Sequence, residues 1–355
     1  MTRPSSSAVG TRDLQLPSHV LPRAPRAVRA VRAVLAVAVT TTVLASPALL
    51  PPASSASPLG TDAQTVAAQS KVAAKVKMGA AAKDQAAFDA FDREAGTFEA
   101  RRTYNSTLPS SFMKSLARTD VAAGRISYWS FRPDPKTFAK DKPAQKKLKA
   151  FLATIPKGHQ TVVVALHEPE DEIRAHKFTL KQWADTNNAV GRIVRATHRP
   201  ELRHGICLMG PWTFDSRSPY YGYNWKKVLN FKYVDVVGID PYKFRNTDPS
   251  LERMLTVANS GSGKTKNPST MAKLSSWGKP VALMEFGVSA TDRYTGEPIT
   301  DEVRARWITD AAAWMSSWNS SHKVPIESAS YFQLHPGGPY LTGKAVEALD
   351  AVTKD

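Results

Sequence analysis

A β-then-α alternation that begins near residue 74 and runs to the end most tightly constrains this 355-residue chain. Short apolar runs suited to strands buried on both faces fall at 74–80 (AKVKMGA), 98–104 (FEARRTY), 125–131 (RISYWSF) and 161–167 (TVVVALH). Four more follow at 203–209 (RHGICLM), 234–240 (VDVVGID), 280–286 (PVALMEF) and 327–334 (ESASYFQL). Helical patterns separate them. Thr179 and Gln182 make a capping box, and Leu180, Trp183, Ala184, Val190 and Val194 keep helical spacing behind it. Asn267-Pro268 opens another helix that Gly278 closes. From Asp301, the positions Val303, Trp307, Ala311, Trp314 and Trp318 form an apolar stripe. Eight strands alternating with helices predict a (β/α)₈ barrel, with an open doubly wound sheet as the alternative.

The first 72 residues stand outside this pattern. Arg23, Arg26, Arg29 and Arg32 lead into an apolar run from about Ala33 to Leu50, and small residues follow in PASSAS. Basic, apolar, small is the order of a secretion signal. The expectation is a signal peptide over 1–56, a flexible linker over 57–72, and one barrel domain over 73–355. The mature chain would then be secreted, with no membrane span left after processing. The formal net charge is +17; residues 1–56 hold six arginines and one aspartate, so the remainder carries +12. That balance favours anionic surfaces such as cell-wall polymers. The basic residues read as scattered, which predicts no nucleic-acid partner. The one cysteine, Cys207, reads as a small buried hydrophobe and excludes an internal disulfide.

Catalytic side chains of a barrel collect where its strands end. His167 and Glu168 end the fourth strand, and Glu285 closes the seventh. A glutamate at the end of an apolar strand is costly to bury without partners. Two of them at one rim match what glycoside hydrolysis needs: one carboxyl to protonate the leaving oxygen, and one to attack the anomeric carbon or activate water.

LHEPE, VDVVGIDPY and PVALMEFG together resemble glycoside hydrolase family 26, over roughly residues 75 to 350. The resemblance implies a retaining (β/α)₈ glycosidase acting on β-mannan or a related β-glycan. It implies Glu168 as acid/base, Glu285 as nucleophile, His167 as a substrate-orienting residue, and Tyr242 as a hydrogen-bond donor to the nucleophile. Two departures from the family pattern stand out. Pro169 and Glu170 follow the His-Glu pair, and strand eight offers Gln333 and His335 where the family has a tryptophan.

Arg102, Tyr104 and Arg132 are further rim candidates, either binding sugar hydroxyls or pairing with the carboxylates. After strand five, Trp212, Phe214, Tyr220, Tyr221, Tyr223 and Trp225 could wall a sugar subsite, Trp212 foremost. Glu170, Asp171 and Glu172 read as solvated loop or helix-start acids. ANSGSGKT at 258–265 imitates a phosphate loop but follows a helical segment, so it reads as a surface loop. His167-Glu168 lacks the second histidine of a zinc protease. The reading therefore invokes no metal and no cofactor, a poly- or oligosaccharide substrate, and a monomer. A binding protein on a degenerate barrel and an inverting hydrolase are the alternatives.

Overall fold

The computed structural model describes residues 75–215, 217–257, 268–333 and 341–354. The expectations for residues 1–72, the loop 258–265, Asn267 and His335 lie outside them. Nine parallel strands are described: β1 (Lys77–Ala82), β2 (Ala100–Asn105), β3 (Ile126–Phe131), β4 (Thr161–Ala165), β5 (Leu202–Leu208), β6 (Val236–Ile239), β7 (Tyr242–Lys243), β8 (Val281–Val288) and β9 (Ile326–Gln333). β1 through β6 pair in sequence, β6 pairs with β8, β8 with β9, and β9 with β1. The sheet therefore closes on itself, and the open-sheet alternative is excluded. The two-residue β7 pairs with the far end of β8, at Gly287 and Val288. The fold is a (β/α)₈ barrel.

All eight sequence-predicted strands are present, with ends shifted by a few residues. The capping box forms as read, Thr179 and Gln182 bonding each other's backbone at the start of helix Leu180–Arg195. Two helix readings need correction. Ser269, whose side chain accepts from the Ala272 amide, caps the helix Thr270–Ser275 in place of the Asn267-Pro268 start. On helix Asp301–Ser321 the stripe holds from Trp307 to Trp318, but Val303 is 39% exposed because it lies in the first turn, clear of the sheet. Among the described residues no helix is long and apolar enough to cross a membrane.

Side chains alternate between the barrel interior and the helical layer. Ala100, Tyr128, Val162, Val164, Cys207, Val236, Ala282 and Met284 fill the interior. Met284 fits because two neighbours are glycines. A Cβ on Gly238 would lie 2.4 Å from the Met284 sulfur, and one on Gly205 would lie 3.1 Å from its methyl. Outside, Leu283 and Phe286 pack with Trp307 and Tyr331. The basic residues are not evenly scattered: residues 136–157 hold seven lysines against one acid, Asp141.

Candidate active site

Alternation along β2 sends Ala100, Arg102 and Tyr104 into the barrel, and places the last two at the mouth. Glu285 reaches the same place by a different device. Leu283 pairs with Ala329 and Phe286 with Tyr331, so three steps on β8 face two on β9. This is a β-bulge of one residue. With Leu283 outward and Met284 inward, a regular strand would send Glu285 back toward the helices. The extra residue lets Phe286 take the outward position and leaves Glu285 facing the mouth.

There Glu285, 5% exposed, accepts hydrogen bonds on both oxygens. The Tyr104 hydroxyl donates to Oε1 at 2.6 Å, and the Tyr242 hydroxyl donates to Oε2. Arg102 Nε stands 4.0 Å from Oε1. The Arg102 guanidinium is fully buried, lies 5.1 Å from the Tyr104 ring centre, and makes no hydrogen bond among the described residues. Burial alone would lower its pKa, but the acidic groups around it, Tyr104, Cys207, Asp240 and Glu285, leave it raised. Two phenol hydrogens and a nearby buried cation thus converge on this carboxyl group.

β4 delivers the second carboxyl. The strand stops at Ala165, two residues before its sequence-predicted end, because Leu166 adopts φ +53°, as Glu168 does at +47°. Such left-handed backbone costs a non-glycine residue roughly 1–2 kcal/mol. Three hydrogen bonds hold it: Leu166 N to Phe131 O at 3.0 Å, the Trp183 indole to Leu166 O at 3.0 Å, and Glu168 N to Cys207 O at 3.0 Å. The Glu168 carboxyl is held well above the usual range, first by loss of hydration, then by the charges of Asp240, Glu285 and Glu170. His167 is pushed well below its ordinary value by burial and by Arg102 and Arg132, so its imidazole is neutral. Its Nδ1 is buried without a hydrogen-bond partner, and its ring lies 5.3 Å from that of Tyr104.

Two acids near the mouth depart from the sequence reading, one unread and one misplaced. Asp240 follows β6 and continues the inward parity of Val236 and Gly238, a signal visible in VGID. It is fully buried, accepts the Cys207 thiol at 3.0 Å, and is shifted well upward by burial and by Glu285. Cys207 is thus a buried donor as well as a packing residue. Glu170 is a correction. It is fully buried rather than solvated, because its Oε1 accepts from the Met209 amide at 3.0 Å and the Thr213 hydroxyl at 2.5 Å. Burial raises its pKa to about 7.

The aromatic wall is smaller than its sequence suggests. Phe214 packs on Trp277, and Trp225 on Trp183, as core. Tyr220 is buried and bonds Asp171. Arg132 pairs with Glu172. Gln333 is also a correction: it exchanges hydrogen bonds with the Leu341 backbone and fastens the chain after β9. What lines the mouth is an unbroken series of ring contacts, running Trp212, Phe244, Tyr242, Phe332, Tyr104 and His167 at centroid distances of 5.3 to 6.3 Å. Phe244 and Phe332 had no sequence signal beyond their parity. Among the described residues no cluster of histidine, cysteine or acidic side chains is arranged to hold a metal ion.

No family model and no curated protein matches the chain. Solved structures do. A glucosidase from Croceicoccus marinus matches with a TM-score of 0.52 and 11% identity, over 79% of this chain and 67% of its own. A mutant family 128 (subgroup I) endo-β-1,3-glucanase from Amycolatopsis mediterranei, in complex with laminaripentaose, matches with a TM-score of 0.50 and 14% identity, over 78% of this chain and 99% of its own. A family 26 β-mannanase from Bacteroides ovatus gives 0.47 and 13%, over 79% and 88%. These likenesses show the (β/α)₈ barrel fold alone. Several glycosidase families share it, and family 26 is not singled out among them.

Proposed function

We propose that the chain is a retaining glycosidase acting on a β-linked polysaccharide, with Glu285 as nucleophile and Glu168 as acid/base. One observation carries the reading: two carboxyls share one mouth in contrasting surroundings. Glu285 is clasped by two phenols beside a buried guanidinium, while burial and neighbouring acids raise the Glu168 pKa well above the usual carboxylate range. In the first step a Glu285 oxygen attacks the anomeric carbon as the bond to the leaving oxygen breaks, and the Glu168 proton passes to that oxygen. In the second, Glu168 takes a proton from water, whose oxygen displaces Glu285 from the anomeric carbon. The neutral His167 ring and the aromatic series from Trp212 to Tyr104 are placed to receive sugar hydroxyls and the apolar faces of sugar rings. Export with the leader removed near Ser57, and a monomeric state, complete the proposal; N-terminal sequencing and sedimentation test them.

The substrate screen should include β-1,3-glucan, which the Amycolatopsis barrel is described as cleaving, and β-mannan, from the family 26 resemblance. On the glycan hydrolysed, Glu285→Ala should abolish turnover, and azide should yield only the inverted glycosyl azide. Glu168→Ala should slow cleavage most for poor leaving groups, and azide should rescue it with retained configuration. Full activity in either variant would sink the assignment. A second reading, binding without cleavage, has one feature in its favour: both Glu285 oxygens are already engaged. It predicts glycan affinity with no turnover by the unaltered chain.

A further inference from the structure

Two grooves follow one another along helix Leu180–Arg195, and both are lined by cations with no carboxylate. The upper, about 500 Å³, opens at the strand-end rim, where Lys136, Arg174, His176 and Lys177 surround it beside Gln182. The lower, about 340 Å³, lies where that helix packs against helix Lys142–Ala153. Lys142, Lys146, Lys149 and Arg192 line it above Ala189 and Ile193. The three lysines recur at i, i+4 and i+7, so they share one helix face. Helix Lys142–Ala153 contains no acid, and all seven lysines of residues 136–157 are exposed.

Some surface lysines elsewhere find partners, as Lys181 does with Asp185, Lys344 with Glu302, and Lys354 with Asp350. Lys142, Lys146 and Lys149 make no ion pair among the described residues, and Arg174 meets Asp171 only at 3.6 Å. Like charges at this spacing weaken a helix. A helix that keeps three of them in a groove, facing a fourth cation across it, is built for anions from outside the chain.

We propose that this double groove docks a linear phosphodiester-linked polymer of sugar or polyol units, running from the rim down the flank of the barrel. The lysines that line both grooves suit phosphate, which lysine binds as a point charge. No aromatic residue lines the lower groove, so bases would find no stacking platform there. The exposed large apolar residues, Met113, Tyr221, Val257, Tyr294 and Val303, line neither groove, so nothing is placed to wedge into lipid. The surface is independent of the glycosidase reading and survives its failure.

The test is calorimetric binding of poly(glycerol phosphate) to the full chain across a salt series. The unaltered chain should bind with affinity falling linearly in log salt, as counterion release requires. Lys142→Glu with Lys146→Glu and Lys149→Glu should weaken binding about tenfold or more and lower the salt slope by about 2. The triple arginine variant should keep most of the affinity, and circular dichroism should show both variants folded. Lys83→Glu with Lys273→Glu and Lys323→Glu makes the same change in net charge on exposed lysines elsewhere and should leave affinity and slope unchanged. Equal loss in that control would overturn the proposal by reducing it to net charge. So would tighter, groove-dependent binding of single-stranded DNA, polygalacturonate or phosphatidylglycerol vesicles.

Discussion

Glu170 is the residue whose surroundings depart furthest from what its neighbours in sequence suggest. It sits among Asp171 and Glu172, yet it is buried under the rim with one oxygen doubly bonded and the other, Oε2, without a partner. Its native pKa of about 7 lies above the ordinary 4.5. Between those values the folded chain holds more protons than the unfolded one. Stability must therefore fall as pH rises through that window and level off above it. Glu170→Gln keeps an acceptor for Met209 and Thr213 but cannot ionise. Its stability relative to the unaltered chain, from denaturant unfolding, should grow from pH 5 to pH 8, toward about 3 kcal/mol. A constant difference across that range would show that the carboxyl does not titrate there. Sequence hides this residue because its partners come from the loop after β5, some forty positions away.

At the scale of elements, the eight strands are legible because valine-rich runs buried on both faces have few other uses. Helix Leu180–Arg195 announces itself through Thr179 and Gln182. What stays hidden is register. The bulge in β8 and the left-handed turn at Leu166 depend on strands and an indole that pair from elsewhere in the chain, and these two irregularities aim Glu285 and Glu168. The packing of Met284 between Gly205 and Gly238 is a similar long-range fit, and it can be measured. Gly238→Ala drives a methyl into Met284 and should cost about 1–3 kcal/mol. Met284→Ala empties the interior and should cost about 2–5 kcal/mol. The double variant should cost less than the sum, since each change removes the other's fault. Strict additivity in urea midpoints would show that the two residues do not share the space.

At the scale of the molecule, closure rests on β1 meeting β9, the first strand joined to the last. Helix Gly343–Lys354 covers this seam. Ala345 and Leu349 are fully buried, and Thr353 Oγ1 donates to Ala95 O at 3.1 Å, beside helix Gln85–Glu94. Ending the chain at Thr342 should therefore lower stability by at least about 2 kcal/mol for Leu349 alone, read from denaturant midpoints. An unchanged midpoint would mean the seam needs no cover. The barrel, and the strands that carry Glu168 and Glu285, follow from the alternation of segments. Asp240, Phe244 and Phe332 had to be seen. The one-residue excess of β8 over β9 also has a genetic meaning. An in-frame loss of the Met284 codon would straighten the pairing there and drop Glu285 into the inward position that Met284 fills, one residue deeper in the barrel. The register of one strand therefore decides whether that carboxyl stands at the mouth or sinks into the interior.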